Sequence, residues 1–163
     1  MLRAGVIGLG DMGSGLAKNL IKNGIATTGL DLRDERMSAF VEMSGTPAGS
    51  VAELGTNSDA VFVMVMNGVQ AKAVILGDDG LAAHMPKGGA VILTATIKPS
   101  EARDIGTALE GSGIHLIDSP VSGGFPGAQG GTLTMMAAAT SEVLDQYKPI
   151  MGAVSKTIHR VGT

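Results

Sequence analysis

The stretch Val6-Ile7-Gly8-Leu9-Gly10-Asp11-Met12-Gly13 decides the fold. Ala4 to Gly8 is a short apolar run that ends in glycine, the pattern of a buried strand. From Gly13 to Asn23, Leu16, Ala17, Leu20 and Ile21 recur at helical spacing, and Gly24 stops the pattern. A G-x-G-x-x-G between a strand and a helix has a specific physical logic. Gly8 permits the tight turn, Gly10 lets backbone approach a pyrophosphate, and Gly13 lets the helix pack close to the strand. The free N–H groups and positive dipole end of the helix then face the phosphates. A strand–turn–helix unit with no ligand is the alternative for this motif.

Outward from it, Ile25 to Asp31 predicts the next strand, and Asp31 lies 18 residues after Gly13. An acidic residue there accepts hydrogen bonds from the adenosine ribose hydroxyls and repels a 2′-phosphate. Leu32 and Arg33 follow. Arg33 suits a 2′-phosphate and so favours NADP; as part of Arg33-Asp34-Glu35-Arg36 it also reads as a solvated helix start. With Asp31 in the ribose position, NAD is expected ahead of NADP. Asp11 would repel a pyrophosphate and is expected to point away from it.

The remaining chain alternates short apolar runs with amphipathic ones. Helices are predicted over Arg33 to Met43, Gly68 to Leu76, Pro99 to Glu110, and Ser141 to Lys148, the last ended by Pro149. Ser50 with Glu53 forms a capping-box pair. Strands are predicted over Ala60 to Met66, Ala90 to Thr94, Ile114 to Ile117, Thr132 to Ala139, and Val154 to Val161, with a Gly-rich stretch at Gly123 to Gly131. This alternation implies an α/β, Rossmann-type doubly wound fold: a mostly parallel sheet with helices on both faces. A length of 163 residues fits one domain, 1–163.

Composition narrows the function. A net charge of −3 disfavours a nucleic-acid face, and 2% aromatic residues disfavour base stacking. The chain has no Cys, which excludes disulfides, Cys-ligated zinc, iron–sulfur clusters and thiol catalysis. No apolar run approaches the ~18 residues of a membrane span, and the N-terminus lacks a secretory pattern, so a cytoplasmic protein is expected. No metal is expected.

The motifs resemble those of the β-hydroxyacid dehydrogenase family, whose members include 3-hydroxyisobutyrate and 6-phosphogluconate dehydrogenases. The first match is Val6 to Gly13 continued by Leu16-Ala17-Lys18-Asn19-Leu20. The second is Asp118-Ser119-Pro120-Val121-Ser122-Gly123-Gly124, similar to the family's substrate-binding signature, continued by Gly127, Gly130, Gly131 and Thr132. Two motifs in family order, more than 100 residues apart, are far more specific than either alone. The resemblance covers the family's N-terminal half. Within the family, Thr27-Thr28-Gly29-Leu30-Asp31-Leu32 and the Val-rich run before Asn67 look most like threonate dehydrogenases.

The second motif makes chemical sense by itself. Gly123 and Gly124 expose backbone N–H groups, Ser122 adds a hydroxyl, and together they suit a carboxylate; the alternative is a mobile Gly-rich turn. The resemblance further implies that Met64, Val65, Met66 and Asn67 contact the dinucleotide, Asn67 reading equally as a helix N-cap. It also implies that Thr96 approaches the nicotinamide ribose, with Ala95 standing where the family usually has Ser. His84, in a loop, and His115 and His159, in strands, lie outside both motifs and are expected to be structural or at the surface.

In the family the proton acceptor is a Lys on a helix beyond this domain. Neither Lys98 nor Lys156 matches it, so no catalytic residue is expected in this chain. The resemblance therefore implies an NAD-binding domain of a hydroxyacid oxidoreductase, inactive alone. The all-helical C-terminal domain, which mediates homo-oligomerisation in relatives, is expected to be missing. The expected substrate is a small hydroxy acid: threonate-like, 3-hydroxyisobutyrate-like, or tartronate semialdehyde/glycerate-like. A non-catalytic dinucleotide-sensing or assembly module is the alternative.

Overall fold

The structure, a computed structural model, describes residues 2–95 and 97–162. The chain opens with β1 (Ala4–Ile7), α1 (Asp11–Lys22), β2 (Thr27–Leu30), α2 (Asp34–Glu42) and a two-residue β3 (Thr46–Pro47). It crosses back through α3 (Val51–Thr56) to β4 (Ala60–Val63), α4 (Gly68–Leu76), α5 (Leu81–His84), β5 (Ala90–Leu93), α6 (Pro99–Leu109) and β6 (His115–Asp118). Then follow β7 (Val121–Ser122), α7 (Gly124–Gly130), β8 (Leu133–Ala138), α8 (Ser141–Val154) and β9 (Ser155–Gly162).

The sheet runs β3-β2-β1-β4-β5-β6-β8-β7, with β9 paired to β8. All pairs from β3 to β6 are parallel, β8 is antiparallel to β6 and β7, and β9 is parallel to β8. The winding reverses between β1 and β4. Chain therefore leaves the carboxyl ends of β1 and β4 in opposite directions, and a crevice opens above them.

The central strands are apolar throughout because helices cover both faces. On one face Val6, Phe62, Ile92, Ile117 and Met135 pack with α1, α7 and α8 residues such as Leu16, Ala128 and Tyr147. On the other, Ile7, Val61, Val63, Val91 and Leu93 pack with Leu54, Ile75, Leu81 and Ile105. Successive side chains of one strand thus feed two separate cores.

Four local expectations need correction. β4 ends at Val63, not Met66, because the next residues close a helix cap: Asn67 Oδ1 accepts from Gln70 N–H at 2.9 Å, and Gln70 Oε1 accepts from Met66 N–H at 2.8 Å. α8 runs through Pro149 to Val154. Proline costs one helical hydrogen bond, but its φ is helical, and buried Tyr147, Ile150, Met151 and Val154 keep the helix in place. The Gly123–Gly131 stretch contains α7, whose final turn is capped from outside by Asn19. His84 closes α5 rather than lying in a loop.

Candidate dinucleotide and substrate site

Gly8 follows β1 with φ +94°, a left-handed conformation that glycine adopts readily. A Cβ there would lie 2.1 Å from the Met64 carbonyl oxygen, so the first turn touches the end of β4. A Cβ on Gly13 would lie 1.6 Å from the Gly8 carbonyl oxygen, which presses α1 against its own lead-in. Gly10 is the N-cap of α1 and, lacking a side chain, supplies no side-chain cap to the helix. The first-turn N–H groups are therefore not covered by a capping side chain of their own.

Asp31 stands at the carboxyl end of β2. Its Oδ2 accepts from Leu9 N–H at 2.7 Å, and its Oδ1 accepts from Arg33 N–H at 2.9 Å. Arg36 Nη1 donates to Oδ2 at 3.3 Å. Burial opposes ionisation, yet the two N–H donors and the Arg36 guanidinium outweigh it and hold the carboxyl below its usual range. Asp31 thus joins the Gly-rich turn to α2. Arg33 is exposed and pairs loosely with Glu35 at 3.8 Å. Asp11 is exposed in the first turn of α1.

Met64, Val65 and Met66 follow β4 in the adjacent crevice. Asn67 is the N-cap of α4, as its alternative reading had it. The Thr94 hydroxyl, at the end of β5, lies against the Val63 carbonyl and the Met64 sulfur. The Thr96 expectation falls outside the described residues.

Ser122 ends β7 with its side chain exposed; Gly123 and Gly124 follow with φ of +128° and +58°. This left-handed pair turns the chain into α7. Asp118, at the carboxyl end of β6, has its carboxyl pushed up by burial. The two motifs are physically joined. Asn19 of α1 donates through Nδ2 to the Ala128 and Gln129 carbonyls of α7 at 2.9 and 3.0 Å. Gln129 Nε2 in turn donates to the Asp11 carbonyl at 3.2 Å.

Sequence reasoning did not single out Arg36, Val69 or Phe125. Arg36 was legible as the i+3 neighbour of Arg33 on one helix face, but nothing placed that face toward Asp31. Among the described residues, four of the seven exposed large apolar side chains, Leu32, Met66, Val69 and Phe125, follow the carboxyl ends of β2, β4 and β7. This edge therefore carries most of the exposed large apolar side chains among the described residues.

Fold and edge together define a dinucleotide-binding domain of the dehydrogenase type. Residues 3–162 match the family model described as the NAD binding domain of 6-phosphogluconate dehydrogenase, and the chain belongs to that family. It is 39% identical over 158 residues to an L-threonate dehydrogenase of Cupriavidus necator, covering 97% of this chain and 53% of that protein. It is 35% identical over 162 residues to an NAD-dependent L-serine dehydrogenase of Pseudomonas aeruginosa, covering 99% and 54%. The crystal structure of a 3-hydroxyisobutyrate dehydrogenase from Salmonella typhimurium superposes with a TM-score of 0.93 at 31% identity, covering 99% of this chain and 56% of that one. The chain spans about half the length of the curated relatives it matches. Among the described residues no helix is long and apolar enough to cross a membrane.

Proposed function

We propose that this chain is the NAD-binding half of an oxidoreductase that moves a hydride between a small hydroxy acid and NAD. One observation carries the reading: the Gly8–Gly13 turn, the uncapped start of α1 and the Asp31 carboxylate meet at the carboxyl edge where the sheet winding reverses. NAD, when bound there, supplies the hydride acceptor. The N–H groups of α1 hold its pyrophosphate, and Asp31 accepts from its adenosine ribose. Leu32, Arg33, Met64, Val65, Met66 and Asn67 border the cofactor. Ser122, Gly123 and Gly124 hold the substrate carboxylate through oriented donors, and the Asn19 clamp fixes that cradle relative to α1.

The relatives support a substrate of the threonate or 3-hydroxyisobutyrate type, and the tartronate semialdehyde/glycerate type rests on the sequence resemblance alone. The hydroxyl proton needs a base, which this reading assigns to a Lys in a second, helical domain. The isolated chain then binds NADH without turning over. Cytoplasmic location and homo-oligomerisation through the helical domain belong to the same reading.

Titrating the chain with NADH while following nicotinamide emission tests the first half. The chain has no Trp, so protein background is low. Saturable binding is expected; its absence for both NADH and NADPH would remove the dinucleotide reading. The second half is tested by offering NAD with threonate, 3-hydroxyisobutyrate or glycerate. No NADH formation is expected from the chain alone, whereas measurable formation refutes its inactivity. If the full-length protein binds NADH but oxidises no hydroxy acid, the sensor alternative becomes the better reading.

A further inference from the structure

Asp31 has more partners than a ribose-binding carboxylate requires. A carboxylate offers about four acceptor positions. Three are taken, by Leu9 N–H, Arg33 N–H and Arg36 Nη1. The Asp31 side chain is 6% exposed, so solvent does little to screen it, while Arg36 is 40% exposed and has room to move. The Arg36 guanidinium also lies 3.5 Å from where a Cβ on Gly10 would stand. It therefore sits between the ribose carboxylate and the turn that meets the pyrophosphate. A cleft of about 200 Å³ beside it is lined by Gly10, Asp11, Glu35 and Arg36 among others. Arg33, 64% exposed, adds a second cation on the same helix start.

We propose that Arg36 determines cofactor specificity: paired with Asp31, it cancels the charge that would repel a 2′-phosphate, so the chain accepts NADPH as well as NADH. The proposal rests on the dinucleotide reading above. Without Arg36, Asp31 faces a 2′-phosphate as an anion held only by the Leu9 and Arg33 N–H groups. With Arg36 at 3.3 Å the pair is neutral, and the guanidinium, 40% exposed, has further N–H groups that can donate to a phosphate while Nη1 stays on Asp31. Arg33 supplies the other donor fork. The opposing anions, Asp11 and Glu35, are exposed, so water and salt weaken their repulsion.

The test is a pair of titrations, NADH and NADPH, on the wild-type chain and on Arg36→Ala, Arg36→Gln and Arg36→Lys. Thermal melts establish which variants fold; Arg36→Gln keeps most of the side-chain stem if Arg36→Ala does not fold. The wild type is expected to bind the two cofactors within about thirtyfold of each other. Arg36→Ala or Arg36→Gln should widen the preference for NADH about tenfold by weakening NADPH, and Arg36→Lys should change it less than about threefold. A wider wild-type preference overturns the proposal. So does a neutral variant whose ratio moves less than about threefold, including one that weakens both cofactors equally, as a merely structural Arg36 would. Failure of the wild type to bind either cofactor is a different result and overturns the dinucleotide reading itself.

Discussion

The side-chain amide of Asn19 donates to the Ala128 carbonyl across a 2.9 Å gap, joining α1 to α7 deep inside the molecule. The same nitrogen reaches the carbonyls of Gly15 at 2.9 Å and Gln129 at 3.0 Å. Asn19 therefore supplies the last turn of α7 with the donor that a following helical turn would have given. Replacing it with Ala removes the donor shared by the Ala128 and Gln129 carbonyls and leaves Ala128 O only the longer 3.4 Å bond from Gly131 N–H. Asn19→Ala is expected to lower stability by about 2 kcal/mol, read from urea unfolding. A loss below about 0.5 kcal/mol would show that water replaces the amide.

The two helices meet so closely because Gly15 has no side chain. A Cβ there would lie 2.6 Å from the Ala128 carbonyl carbon, against backbone that cannot rotate away. Gly15→Ala is expected to cost about 1–3 kcal/mol through overpacking. Gly152 is the internal control. It lies in α8, is exposed, and a Cβ there meets nothing within 4 Å. Gly152→Ala should stabilise by about 0.5–1 kcal/mol, since alanine is the better helix former. Thermal melts showing the same sign of shift for both variants would contradict this account.

Ser119 Oγ is fully buried and has no hydrogen-bond partner among the described residues. Burying an unpaired hydroxyl is unfavourable. Ser119→Ala is therefore expected to leave stability unchanged or raise it by up to about 1 kcal/mol. A clear loss in chemical denaturation would reveal a partner for the hydroxyl, such as an ordered water.

Acid should weaken the fold through two carboxylates. Asp59 accepts from Arg3 N–H at 2.8 Å, Nε at 3.3 Å and Nη2 at 3.2 Å, fastening the lead-ins of β1 and β4. Burial works against ionisation of Asp59, as it does at Asp31, but the donors prevail and both carboxyls are held below their usual range. A depressed folded-state pKa stabilises fully above the unfolded value near ~4 and loses that effect as pH falls through the lower folded value. Asp59→Asn should therefore be less stable than wild type at pH 7, with the gap closing below about pH 4. An unchanged gap in melts from neutral to acid pH would refute the linkage.

Much of the fold was legible because its signals are local. Gly8, Gly10 and Gly13 with a strand before them and a helical period after them specify one supersecondary unit. The apolar four-residue runs at Ala90–Leu93 and Ala60–Val63 specify strands covered on both faces. Element ends were less legible. The run Ala60 to Met66 is apolar throughout, so its composition does not mark where the strand stops; the local Asn67–Gln70 cap, legible in Asn67 as an N-cap, ends it at Val63. Pro149 is a helix breaker by local preference, and tertiary burial of the residues after it overrides that preference.

The sequence by itself determined the class of fold, the dinucleotide turn and the carboxylate that follows the second strand. Those depend on backbone conformations and spacings that neighbouring residues set. Only the tertiary structure decided that Arg36 lies on Asp31 and that Asn19 ties α1 to α7. Both contacts join separate elements, across 5 residues at α2 and 109 at α7. Their geometry follows from how closely helices pack on the sheet, which no local pattern records.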